Sequence, residues 1–205
     1  EDFLAALNDG REDFRLRLKR CRCYGVDDPE ADAFAADFTG RIFDLFDTAR
    51  PWLGGRFLPS SIQFVTYLDA GRCVPATPDG RAAGTPLADS LGPVHGKDVC
   101  GPTAMLCSVS SLPLSRAAGT PVLNLRLHKH MVRPALRGLV EGFFSRGGMQ
   151  LQVSCVSRED MLEAMEHPEL HENLIVRIGG YSEYFNRLGR DLQLTVLART
   201  EFDEP

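Results

Sequence analysis

The chain has 205 residues, 43% of them hydrophobic and 25% charged, with a formal net charge of −5 at neutral pH. That balance suits a chain able to bury a core, and it excludes a general nucleic-acid binder, because no long Lys/Arg run is present to neutralise phosphates. No apolar run approaches the length of a membrane span and no signal peptide opens the chain, which predicts a cytoplasmic protein with no membrane partner; a first residue Glu1 in place of Met predicts an excerpt or a processed piece.

In chain order, three helical stretches come first. Phe3, Leu4 and Leu7 form one short apolar stripe, and Phe14 and Leu18 a second inside a locally basic stretch read as a solvated helix face. The third stripe, Phe34, Phe38, Ile42, Leu45 and Phe46, has the three- and four-residue spacing of an amphipathic helix and follows the start signal Asp27-Asp28-Pro29. Ile62, Phe64, Thr66 and Leu68 then alternate with Gln63, Val65 and Tyr67, which predicts a strand. Residues 69–101 are a long irregular segment rich in Gly and Pro, too poor in apolar residues for a core of its own.

"GPTAMLCSVSSL" reads as a helix with Pro102 in its first turn, "PVLNLRL" as a strand, 134–144 as a helix and "MQLQVSCVS" as a strand. Ser157 with Asp160 caps a further helix that Pro168 stops, and "LIVRI" is a short extended piece. Leu192 to Leu197 belong to a last helix. Strands that alternate with helices in the second half predict parallel α/β packing.

Several candidate sites weigh little. His128 and His130 are either two metal ligands on one side of a strand or, more often for such a pair, an exposed strand end; no carboxylate or cysteine stands nearby at ligand spacing. Six cysteines are scattered without CxxC pairs, which predicts reduced thiols, with Cys107 and Cys155 as small core residues. No nucleophile elbow, Walker loop or dinucleotide fingerprint is present. That leaves "LIVRIGGYSEYF" at 174–185, where two glycines follow a β-branched run and precede an aromatic cluster. On composition alone, a turn or bulge accounts for the glycines.

"RIGGYSEYF" also resembles the C-terminal signature of glycyl radical enzymes, the pyruvate formate-lyase-like family. In that signature an Arg, a Val or Ile, a variable residue, the radical glycine and an aromatic follow one another. Arg177 and Ile178 take the first two places, Gly179 the variable one, Gly180 the radical one and Tyr181 the aromatic one. "ATPDGRAAGTPLADS" at 76–90, "GPTAMLCSVSSLP" at 101–113, "SREDMLEAMEHPEL" and "LARTEF" resemble the family's segments in order and position. The N-terminal helices and "GGRFLPSSIQFV" are similar to the end of its large domain.

The resemblance implies an α/β fold, the C-terminal half of a ten-stranded α/β barrel with the radical loop reaching into it. It implies that 1–70 close the large domain and that 71–205 form the glycine radical domain. Gly180 would store the radical, a post-translational cofactor, with no bound metal or organic cofactor. A glycine α-carbon suits this because no Cβ crowds its flattening, and a stored carbon radical needs an interior closed to water and dioxygen. A separate radical-SAM activating enzyme, using S-adenosylmethionine and an iron–sulfur cluster, would install the radical under anaerobic conditions. None of the six cysteines lies in the family's cysteine-loop context, so the thiyl cysteine is expected on a larger subunit or N-terminal half, and the complete enzyme could be a homodimer. "GPTA" at 101–104 resembles the branches that cleave C–O, C–C, C–N or C–S bonds of small molecules, which points to a dehydratase- or decarboxylase-type lyase. The alternatives are a formate acetyltransferase-type acyltransferase, or a non-catalytic scaffold or spare-part subunit. Residues 59–64 resemble a strand that lines the substrate pocket, which makes Ser60 and Ile62 candidate substrate contacts against plain strand packing.

Overall fold

The computed structural model describes residues 12–63 and 65–203; the Phe3, Leu4 and Leu7 stripe and Phe64 lie outside them. Helix α1 (Glu12–Lys19) carries Phe14 and Leu18 as expected. Helix α2 (Pro29–Thr48) starts where Asp28 accepts hydrogen bonds from the amides of Glu30 (3.1 Å) and Ala31 (3.0 Å), with Pro29 as first helical residue. These amides, Ala31 first, hold the Asp28 carboxyl below its ordinary range. The apolar stripe of α2 does not face the body of the protein. Asp32 is its one buried side chain, whereas Phe34, Phe38, Ile42 and Leu45 are exposed.

The strand expected over 62–68 is absent. Its place is taken by one isolated parallel bridge, Ser61 to Pro121, followed by helix α3 (Thr66–Cys73). Short apolar alternation does not separate strand from helix, and tertiary packing decides here. Tyr67 and Gly71, one turn apart, form the buried face of α3. Gly71 lies so close to the 85–86 backbone that a Cβ there would meet the Thr85 carbonyl oxygen at 2.3 Å. The boundary expected between 70 and 71 falls within this helix. Residues 74–100 contain no strand or helix and are organised instead by Arg81. Its buried guanidinium donates to the carbonyls of Val74 (3.1 Å), Ala82 (3.1 Å), Thr85 (2.6 Å) and Pro75.

Helix α4 (Gly101–Ser110) leads to strand β1 (Asn124–Leu127). Helix α5 (Lys129–Ser145) crosses over to β2 (Gln152–Ser154), α6 (Arg158–Glu166) follows, and β5 (Glu201–Phe202) closes the sheet after α7 (Arg190–Leu197). The sheet order is β2-β1-β5, all parallel, with Leu125 opposite Val153 and Leu127 opposite Phe202. The expected parallel α/β packing is therefore present as a three-stranded sheet. Leu125, Leu127, Val109, Leu139 and Phe143 fill the core between it and helices α4 and α5.

Two local readings change. Helix α5 begins at Lys129, five residues before Pro134, because the His128 side chain caps it by accepting from the His130 amide (3.4 Å). The histidine pair thus lies at the end of β1, where the His128 amide donates to the Phe202 carbonyl (2.9 Å), and it also starts the helix; the His130 ring reaches the Asp203 carbonyl at 2.8 Å. Cys107 and Cys155 are half-buried and not core residues.

Candidate functional site

Strands β3 (Ile175–Arg177) and β4 (Ser182–Tyr184) form an antiparallel hairpin, with Arg177 opposite Ser182. The Ile178 amide donates to the Tyr181 carbonyl (3.0 Å), so Gly179 and Gly180 are the two residues of a tight turn. Gly180, the second of them, has φ +82°, the position at which a type II turn calls for glycine. Val176 and Ile178 point inward, onto a second apolar cluster with Met161, Phe185, Val196 and Leu197. Period-two alternation then turns Ile175 and Arg177 to the other face.

Beneath the turn the contacts become polar. The Gln152 side-chain oxygen accepts from the Gly180 amide (3.4 Å) and from Arg177 Nε. Arg199, just past α7, donates to the carbonyls of Arg177 (2.5 Å) and Ile178 (2.7 Å), the two peptides that precede the glycine pair. The same guanidinium pairs with Asp89 Oδ2 at 2.8 Å, both side chains being about nine-tenths buried. Asn124 Nδ2 bridges Asp89 Oδ2 (2.9 Å) and the Ile178 carbonyl (3.0 Å). Asp89, Asn124, Gln152, Arg177 and Arg199 also line a cavity of about 50 Å³ below the hairpin. Burial pushes the Tyr67 phenol above its ordinary value, with the Arg199 charge pulling the other way. Burial pushes the neighbouring His95 imidazole down, with Asp89 opposing. A larger cleft of about 670 Å³ runs between α3, residues 79–86 and α7, and neither Arg177 nor Gly180 lines it.

The structure brings Arg177, Ile178, Gly179, Gly180 and Tyr181 together at one hairpin tip. Gly179 is buried, whereas Gly180 and Tyr181 are exposed on the surface of this chain. Ser60 and Ile62 are elsewhere: Ser60 is exposed and donates to the Thr120 carbonyl (3.1 Å), and Ile62 is half-buried outside any strand. Asp89, Asn124, Gln152 and Arg199 were not singled out from sequence, although a readable signal existed for two of them. Asn124 and Gln152 are polar residues inside apolar strand runs, and such residues need a buried hydrogen-bond partner. Among the described residues, no group of three or more His, Cys, Asp or Glu could hold a metal ion, and no helix is long and apolar enough to cross a membrane.

A family profile described as "Glycine radical" matches residues 87–186. The isethionate sulfite-lyase of Oleidesulfovibrio alaskensis is 34% identical over 202 residues, which cover 95% of this chain and 24% of the relative. Formate acetyltransferase 1 of Escherichia coli is 32% identical over 189 residues, 86% of this chain and 25% of its own length. The glycerol-bound B12-independent glycerol dehydratase of Clostridium butyricum superposes with a TM-score of 0.93 at 31% identity, over 98% of this chain and 26% of that one. The mixed α/β scaffold with its Gly-Gly hairpin is therefore a glycine radical domain. The chain belongs to the glycyl radical enzymes, and it corresponds to about a quarter of such an enzyme, the C-terminal quarter.

Proposed function

We propose that this chain is the radical-bearing portion of a glycyl radical lyase, with Gly180 as the residue that stores the unpaired electron. The observation that carries this reading is a left-handed glycine at the tip of a hairpin whose preceding carbonyls are held by a buried Arg199–Asp89 pair. A glycine there has no Cβ to oppose flattening of the α-carbon once a hydrogen atom is removed.

In this reading a radical-SAM activating enzyme takes one hydrogen atom from the Gly180 α-carbon. Gly180 later regains a hydrogen atom from the thiol of a cysteine on the complementary part, which leaves a thiyl radical there. That radical in turn takes a hydrogen atom from a small-molecule substrate and opens the way to bond cleavage. This chain contributes storage and positioning; the complementary three quarters, on the same polypeptide or on a separate subunit, contribute the cysteine, the pocket and the remaining barrel strands. They also contribute the cover. Gly180 is exposed on this chain, and a radical survives there only beneath a surface that excludes water and dioxygen.

We assign 71–205 to the radical domain, a span that contains the matched residues 87–186, and 1–70 to the end of the large domain. Lyase chemistry is favoured by the resemblance of "GPTA" at 101–104 and by relatives named as a sulfite-lyase and a glycerol dehydratase. Anaerobic incubation of the assembled protein with its activating enzyme and S-adenosylmethionine should give a glycine-centred EPR doublet. The doublet should collapse when the protein is made with α-deuterated glycine. No signal, or a doublet that persists in Gly180→Ala, rejects the assignment.

A further inference from the structure

The hairpin shares no backbone hydrogen bond with the three-stranded sheet among the described residues; the two sheets are separate. A two-stranded hairpin is at best marginally stable by itself, so its seat is made by side chains. Two kinds of contact make it. The apolar one, through Val176, Ile178 and Phe185, is non-directional and fixes depth more than orientation. The polar one is directional: Gln152 takes the Gly180 amide and Arg177 Nε, and Arg199 and Asn124 converge on the carbonyl oxygens of Arg177 and Ile178, two and one peptides before Gly179.

We infer that Arg199, locked by Asp89 and Asn124, is a positioning residue that fixes where the Gly180 hairpin sits, a role that deepens the radical reading above and rests on it. The geometry leaves the guanidinium little freedom. Asp89 Oδ2 receives both Arg199 and Asn124, its Oδ1 accepts from Ser90 (3.1 Å), and the adjacent Leu91 amide is bonded to the Val122 carbonyl (3.0 Å). Arg199 thus has its charge partner on the 74–100 segment, its backbone between α7 and β5, and its two acceptors on the hairpin. One planar cation ties three parts of the chain to the tip. The cavity of about 50 Å³ beside it is large enough for a water molecule, and its wall mixes Asp89, Asn124, Gln152 and Arg199 with the apolar side chains of Met105, Leu125 and Phe202. Arg199 and Asn124 are among its lining residues, and their Nε and Oδ1 atoms are buried without a hydrogen-bond partner among the described residues. The hairpin therefore rests on directional polar contacts that are separate from its apolar contacts through Val176, Ile178 and Phe185.

Hydrogen–deuterium exchange on the assembled, unactivated protein tests this without any radical. Arg199→Lys keeps the charge but loses the two-pronged donor, and Asn124→Ala removes one bridge while leaving the ion pair. In both, amides of 174–185 should exchange at least tenfold faster, with β1 and α5 unchanged. Arg199→Lys/Asp89→Asn should add little to Arg199→Lys. Unchanged hairpin exchange, or an increase of the same size across β1 and α5, overturns the inference; the second outcome reduces Arg199 to general fold stability. A missing EPR doublet in the wild type would reject the radical reading and leave the exchange result standing.

Discussion

The Ser108 hydroxyl donates to the Asp32 carboxylate at 2.9 Å while it accepts from the Asp27 amide, also at 2.9 Å. This relay secures the start of α2 to α4, because Asp32 is the one buried side chain of α2. Ser108→Ala would leave a buried carboxylate oxygen and an amide without their partner, at a cost of about 1–3 kcal/mol. Urea unfolding should report that loss with an unchanged denaturant slope.

Asp32 itself should respond to pH in a recognisable sense. Burial raises its carboxyl, the Ser108 hydrogen bond opposes, and the charges of Asp27 and Asp28 add to the rise. The folded state therefore holds this proton more tightly than the unfolded chain, and Asp32 makes the protein more stable as pH falls through its raised folded value. Asp32→Asn should remove that increment and leave stability at pH 7 equal or higher. A variant with the wild-type pH profile in the acid range would show that Asp32 is not the group responsible.

His95 works the other way. Burial lowers it below its usual 6.5, Asp89 and Asp98 oppose, and Arg199 adds to the lowering. As pH falls below about 6.5 the unfolded chain takes up the proton first, so stability present at neutral pH is lost in acid. A thermal midpoint measured at pH 7.5 and 5.5 should fall less in His95→Gln than in the wild type. Because His95 and Arg199 line the same small cavity, the loss of stability should be accompanied by faster exchange in the hairpin.

The parts of the fold that were legible in sequence are those fixed locally. Asp28-Pro29 at the start of α2, the Ser157 cap of α6, and the apolar runs of β1 and β2 each carry their own instruction within a few residues. The hairpin turn was legible because a glycine pair ends a β-branched run. The seat under it was not, since Asp89, Asn124, Gln152 and Arg199 come from four separate segments and meet only when the sheet forms. Helix α3 was misread because its buried pair, Tyr67 and Gly71, is chosen by a close approach to the 85–86 backbone that lies beyond any local window.

The stripe on α2 was read correctly as a helix face, yet it faces solvent. Phe34 is 73% exposed, Leu45 68%, and Trp52 just beyond the helix 96%. Exposed apolar side chains at this density mark a surface that another surface covers; the chain spans about a quarter of the length of the relatives it matches, and in the proposed reading the complementary part is what covers this face. Trp52 is the single tryptophan of the chain. With fluorotryptophan at this position, the 19F resonance should shift and broaden when the chain joins its complement. Phe34→Ser/Leu45→Ser should weaken that association at least tenfold. An unchanged resonance in the assembled protein would show that this face stays in water.

Substitution of the two turn glycines separates backbone strain from radical chemistry. At φ +82° an L-residue with a Cβ costs about 1–2 kcal/mol, so Gly180→Ala should lower the thermal midpoint by about 2–8 °C. Asn tolerates the left-handed region better than Ala, and Gly180→Asn should recover part of that stability. Neither should give an EPR doublet, since each carries a Cβ that opposes a planar α-carbon. Gly179 is not in the left-handed region. Gly179→Ala should therefore keep the doublet on the neighbouring residue, at lower yield where the buried position crowds the new methyl. If instead the doublet followed Gly179, lost in Gly179→Ala and kept in Gly180→Asn, the unpaired electron would belong one residue earlier, on the buried side of the turn.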